Sequence, residues 1–199
     1  HELLQDGDIL NIDVTTAYKG FHGDTSITVV LGCASEESRR LVDIAERALW
    51  AGIEQARPGG RLGDIGAAIS ELVRREGCSV VKDFGGHGIG RRMHMDPHVS
   101  HVGVRGQGIR LKPGMTFTIE PMVNLGSPEI CVLDDGWTVV TADGSLSAQF
   151  EHTIYITENG CEVLTIDILV ERGLRKERMV AFSSGPSARR RTSVRRSLS

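Results

Sequence analysis

The chain has 199 residues, enough for one domain with a full core. Its 40% hydrophobic content, its 24 glycines and the lack of any apolar run near ~18 residues describe a globular protein; they exclude a membrane-spanning helix, and no signal peptide is recognisable. The net charge of −3 hides an asymmetry, since residues 1–166 carry 14 Lys+Arg against 23 Asp+Glu and residues 167–199 carry nine against three.

Residues 9–17 and 21–31 are rich in Ile, Val and Thr and are predicted as two strands separated by a turn around Tyr18-Lys19-Gly20. Ser35 is a good N-cap with Glu36 and Glu37 behind it. Leu41, Ile44, Ala45, Ala48, Leu49 and Ile53 then recur at helical spacing until Pro58-Gly59-Gly60. A second helix carries Ile65, Ala68, Ile69, Leu72 and Val73 on one face and stops at Gly77. "CSVVKDFGGHGIG" reads as a short strand entering a glycine-rich loop, and "LKPGMTFTIEPMV" as a strand behind a Pro-Gly turn. "EICVLDDGWTVVT" is predicted as a hairpin around Asp135-Gly136, and "LSAQFEHTIYIT" as the last strand. Residues 167–182 are an extension of uncertain structure, and 183–199, "SSGPSARRRTSVRRSLS", read as a disordered basic tail. Its "RRTS" and "RRSLS" resemble basophilic kinase sites. Its charge suits an acidic partner such as the ribosome, and without aromatics or base-reading groups it implies no sequence-specific nucleic-acid binding. Cys33, Cys78, Cys131 and Cys161 form no C-x-x-C motif, which fits reduced thiols in a cytoplasmic protein.

Two hairpins each carry a pair of acids. A turn at Tyr18-Lys19 would set Asp13 directly opposite Asp24. At ~5 Å and an effective dielectric of ~20, such a pair repels by roughly 3 kcal/mol, so it calls for a counter-charge or a shared proton. The second hairpin, turning at Asp135-Gly136, brings Glu120 opposite Glu151 in the same way, although loops interrupt its arms. Four acids alone admit either a solvated sheet face or a cation site. Three of them follow apolar residues in "LNIDV", "FTIEP" and "QFEHTI", and buried carboxylates need metals or partners. His87 in "GGHGIG" adds an imidazole. One His with four carboxylates is unlike the Cys/His cages of structural zinc and suits Mn, Fe, Co or catalytic Zn, with acids able to bridge two ions.

The ordered motifs "NIDV", "FHGDTS", "GHGIGRRMHMDP", "LKPGMTFTIEPMVN", "DGWTVVTADGSLSAQFEHTI" and "CEVLT" resemble type I methionine aminopeptidase over about residues 6–166. The resemblance implies the α+β pita-bread fold, with an antiparallel or mixed sheet, helices on its outer face and two pseudo-symmetric halves. It implies two divalent ions: Asp13 chelates one, Asp24 and Glu151 bridge both, and His87 and Glu120 complete the other's shell. Glu120 is then the general base, and His94 contacts the substrate carbonyl and the tetrahedral intermediate. Trp137 and Met93 would line the methionine pocket, Met93 standing where the family often has Phe. The implied reaction removes initiator Met from nascent chains by attack of a metal-activated hydroxide. X-Pro dipeptidases share the His loop, but "TIEPMVN" and "QFEHT" favour the methionine enzyme, and the 32 residues between His87 and Glu120 leave no room for the type II insertion. His22 shares strand parity with Asp24 and is a candidate supporting residue; His98, His101 and His152 read as structural. Family members carry an upstream segment with a further His and pocket residues, so the half containing the first hairpin is expected to be incomplete here. A second reading is therefore a catalytically silent ribosome-binding module.

Overall fold

In a computed structural model, which describes residues 3–166, the two Ile/Val/Thr-rich runs form an antiparallel hairpin of β1 (Ile9–Tyr18) and β2 (Phe21–Val30). The turn is Lys19-Gly20, with φ of 48° and 80°, not Tyr18-Lys19. A two-residue hairpin turn of this kind needs positive φ at both central positions, and glycine meets that need without steric cost where Tyr18 would not. The register therefore moves: Asp13 pairs with Ser26, and Asp24 pairs with Thr15. The two carboxylates share a face but lie on a diagonal. At ~7–8 Å and an effective dielectric of ~20, their repulsion falls to about 2 kcal/mol.

Helix α1 (Glu36–Ile53) starts where Ser35 Oγ accepts the Ser38 N–H at 3.0 Å, and α2 (Leu62–Arg75) is stopped by Gly77 at φ 74°. The faces read from the sequence are the buried ones, with Leu41, Ile44, Ile65 and Ile69 fully enclosed. Each such side chain contributes about 1.5–3 kcal/mol through its burial.

Beyond the helices come β3 (Ser79–Val80), β4 (Gly86–Gly88), β5 (Met95–Val99), β6 (Thr116–Ile119) and β7 (Met122–Asn124). The hairpin of β8 (Ile130–Val132) and β9 (Val139–Thr141) follows, then β10 (Ser147–Gln149), β11 (Glu151–Ile156) and β12 (Cys161–Val163). The glycine-rich stretch predicted as a loop thus contains strand β4, which pairs with β5 and β6. The expected single last strand is broken at Phe150 into β10 and β11, which belong to different sheets.

The large antiparallel sheet runs β1-β2-β11-β6-β4-β5, with β12 also on β11. A second sheet, β10-β7-β3, adjoins it. Along β6 and β11, alternation sends Phe117, Ile119, Ile154 and Ile156 into the core, while Thr118, Glu151 and Thr153 share the opposite face with Asp24 and Ser26. α1 contacts β2, β6, β10 and β11 on the core side, so the arrangement is α+β with helices on one face of the sheet and the acids on the other. No described helix is long and apolar enough to cross a membrane. The extension and basic tail expected at 167–199 lie outside the described residues.

Candidate metal centre

The register across three strands builds the site. Asp13 on β1 pairs with Ser26 on β2, and Ser26 pairs with Glu151 on β11, so the three side chains form a row on one face. Asp24 stands two residues from Ser26 on that face, 3% exposed. The β6–β11 ladder ends at Ile119–His152, and the next step of that register brings Glu120 beside Glu151, as the sequence predicts. β4 supplies His87 from the far side. Its Nε2 lies 3.6 Å from Glu120 Oε1 and 3.9 Å from Asp24 Oδ2. Nδ1 of His87 donates to the Gly88 carbonyl at 3.1 Å, which leaves the Nε2 lone pair directed at the carboxylates in the neutral ring.

These groups line a cleft of about 410 Å³, whose walls include Asp83, Phe84, Met93, His94, His98 and Met122. The ring centroids of His94 and His87 lie 4.4 Å apart, edge to face. Met93 and His94 thus fall at the cleft. Trp137 does not: it is 87% exposed beside the β8–β9 turn, where its backbone N–H donates to Asp135 Oδ1 at 2.9 Å, and it is absent from the cleft wall. His22 is held elsewhere, with its N–H and its Nδ1 both directed at the Gly90 carbonyl, 2.7 and 3.2 Å away.

The electrostatics are those of buried carboxyls crowded together. Burial, reinforced by Glu120, Asp24 and Asp13, pushes the Glu151 carboxyl up to about 10. Burial also lifts Glu120 to about 7; the Thr118 hydroxyl partly offsets this by donating to Oε1 at 2.7 Å, while Asp24 and Asp13 add to it. Asp13, at the open rim, is raised by desolvation and then by Asp24, with His87 opposing. Glu151 Oε1 is buried without a hydrogen-bond partner. A carboxylate oxygen in that position is costly unless a proton or a cation satisfies it. One ligand atom each from Asp24, His87 and Glu151 lie within 4.8 Å of one another, a spacing one ion can bridge. Oxygen-rich donors with one imidazole fit a divalent ion of the Mn, Fe, Co or Zn type.

Several residues that hold this arrangement together carry no motif in the sequence. Thr15 donates to Asp24 Oδ1 at 2.8 Å. Thr118 Oγ1 accepts the His87 N–H at 3.0 Å while donating to Glu120, and Gln149 Nε2 reaches Glu120 Oε2 at 3.3 Å. Strand parity is the one signal that could have found Thr118, two residues before Glu120. His152, predicted to point away from Glu151, does so: it is buried against Trp50 with Nδ1 2.8 Å from Thr165 Oγ1, and burial pulls it down to about 4. His101 is fully enclosed, and its Nε2 accepts the Glu120 N–H at 3.1 Å. Burial, with His98 adding to it, pulls it down to about 3.

Comparison with known proteins agrees with this geometry. The profile of metallopeptidase family M24 matches residues 1–158, and the chain belongs to that family. Its divalent-metal chemistry and pita-bread fold follow from that membership. Methionine aminopeptidase B of Synechocystis sp. is 52% identical over 165 residues, which cover 83% of this chain and 60% of the relative. The crystal structure of methionine aminopeptidase from Rickettsia prowazekii superposes with a TM-score of 0.81 at 48% identity, over 82% of this chain and 66% of that one. Prolidase from Pyrococcus furiosus has the same fold at a TM-score of 0.63 and 26% identity, over 81% and 42%. The chain thus spans about 60% of the length of the curated relative.

Proposed function

We propose that residues 1–166 form the catalytic domain of an enzyme that removes N-terminal methionine from peptides and nascent proteins in the cytoplasm. The observation that carries this reading is the buried, unpartnered Glu151 Oε1 set within ligand distance of Asp24 and His87, in a chain 52% identical to a methionine aminopeptidase. Asp13, Asp24, His87, Glu120 and Glu151 would hold two divalent ions, with Mn, Fe, Co and Zn all compatible with the donor set. When bound, such ions supply Lewis acidity, polarising the scissile carbonyl and making a water nucleophilic near neutral pH.

The chain's own residues perform the remaining steps. Glu120, lifted to about 7, is poised to take a proton from the attacking water and return it to the leaving amine. Thr118 and Gln149 fix its two oxygens in orientation. His94, at the cleft mouth against His87, donates to the carbonyl oxygen as negative charge gathers there. Met93 offers an adaptable apolar wall to the methionine side chain. The basic residues of 183–199 would favour contact with ribosomal RNA, a salt-sensitive interaction.

The test is release of Met from Met-Ala-Ser by the purified chain with added Mn²⁺ or Co²⁺, with a form extended to the relatives' length run in parallel. Release supports the assignment. If neither metal-loaded form releases Met, or if both prefer an X-Pro dipeptide, the assignment is wrong.

A further inference from the structure

The geometry points to His101 as a positioning residue that fixes Glu120 from behind the cleft, an inference that rests on Glu120 serving the site as proposed above. The β6–β11 ladder ends at Ile119, so the Glu120 N–H has no strand partner. Pro121, the next residue, has no N–H to share the position. A backbone N–H at the floor of a cleft needs an acceptor, and His101 Nε2 provides it at 3.1 Å. A ring that accepts at Nε2 must keep its proton on Nδ1, so His101 serves here as a neutral acceptor.

The support behind His101 is rigid. A Cβ at Gly66 of α2 would come within 2.7 Å of the Ser100 carbonyl oxygen and 2.8 Å of the Val102 carbonyl carbon. The helix backbone therefore lies directly against the chain on both sides of His101, whose side chain is 2% exposed. Thr118 and Gln149 grip the Glu120 carboxylate, and His101 grips its main chain. Without the third contact, the carboxylate could pivot about the other two. An imidazole this deep, at the end of a ladder and facing a ligand's own backbone, has a more specific task than filling space.

The experiment compares His101→Gln, His101→Asn and His101→Leu in the full chain. Gln can place an acceptor near the position of Nε2; Asn is too short, and Leu offers none. Near-UV circular dichroism reports folding. Calorimetric Mn²⁺ uptake without peptide and steady-state Met release report the site. We expect His101→Gln to stay within about threefold of wild type in Mn²⁺ affinity and kcat. His101→Asn and His101→Leu should lose about tenfold or more in both, while KM for the peptide moves less than about twofold.

A folded His101→Leu that takes up Mn²⁺ as wild type does overturns the inference. Should Leu not fold, equal behaviour of Asn and Gln overturns it instead. A wild-type chain that binds Mn²⁺ but releases no Met rejects the function proposed above, and the calorimetric comparison still decides the role of His101. A folded wild-type chain that takes up no Mn²⁺ overturns both.

Discussion

The two faces of the large sheet are made by alternate residues of the same strands, yet they meet opposite physical demands. On the helix side, Phe117, Ile119, Ile154 and Ile156 are fully buried against one another and against α1 and α2, and nothing further is required of that face. On the other side, one residue away along the chain, Asp24 and Glu151 are nearly as buried but carry acidic groups. The first face stabilises the fold through removal of apolar area from water. The second weakens the fold through desolvated, mutually repelling carboxyls until protons or metal ions neutralise them. Stability and function are thus divided by strand parity, and a substitution should act on one or the other according to which side it faces.

The largest expected effect that separates the faces comes from Glu151→Gln. Since the carboxyl is pushed up to about 10, the metal-free protein holds it protonated at neutral pH, and Gln closely mimics that state. Met release should fall by about a thousandfold or more, while the metal-free Tm stays within about 2 °C, as calorimetry will show. A large drop in Tm would mean that the acid face contributes to folding after all. The converse substitution, Phe117→Ala, should cost about 3–5 kcal/mol in urea unfolding by opening a cavity in the core.

Proton release sharpens the contrast further. Glu151, at about 10, and Glu120, at about 7, carry protons at pH 6.5 that metal binding must displace. Affinity for Mn²⁺ should therefore rise about tenfold per pH unit per proton displaced between pH 6 and 7, and calorimetry in buffers of different ionisation enthalpy would count the protons. An affinity flat over that range would contradict the raised carboxyls.

On the helix side, His152 gives the fold a pH dependence of its own. Its folded pKa of about 4 lies below the ordinary 6.5, so between those values the unfolded chain binds the extra proton. Its contribution is in place above pH 6.5 and is lost as pH falls towards 4, to a maximum of about 3 kcal/mol. His152→Asn, compared with wild type in urea at pH 7 and pH 4.5, should show a smaller loss on acidification. The smallest effect belongs to Trp137→Ala. At 87% exposed and away from the cleft wall, Trp137 should leave both Tm and Mn²⁺ uptake unchanged within about twofold.

Much of this division was legible in the sequence because alternation and helical spacing are local signals. The apolar faces of α1 and α2 and the parity of Glu151 against His152 could be read directly, as could the register that brings Glu120 to Glu151. The relation of Asp13 to Asp24 was misplaced because hairpin register depends on a single turn dihedral. Lys19 takes a positive φ, which composition does not announce. His101 and Gln149 were out of reach for another reason: their partners lie 19 and 29 residues away in the chain, and only the assembled fold brings them to Glu120. Trp137 shows the limit of motif matching, since resemblance assigned it to a pocket wall and the β8–β9 turn holds it in solvent.

β11 is gripped on both sides, by β2 and β12 along one edge and by β6 along the other, whereas β1 has a single strand neighbour among the described residues. Glu151 therefore sits on a strand whose amides should be among the slowest to exchange with deuterium. Asp13 rides on one that frays at much lower cost. Deuterium exchange should resolve that difference, with the amides around Asp13 labelled early and those around Glu151 only when the sheet itself opens.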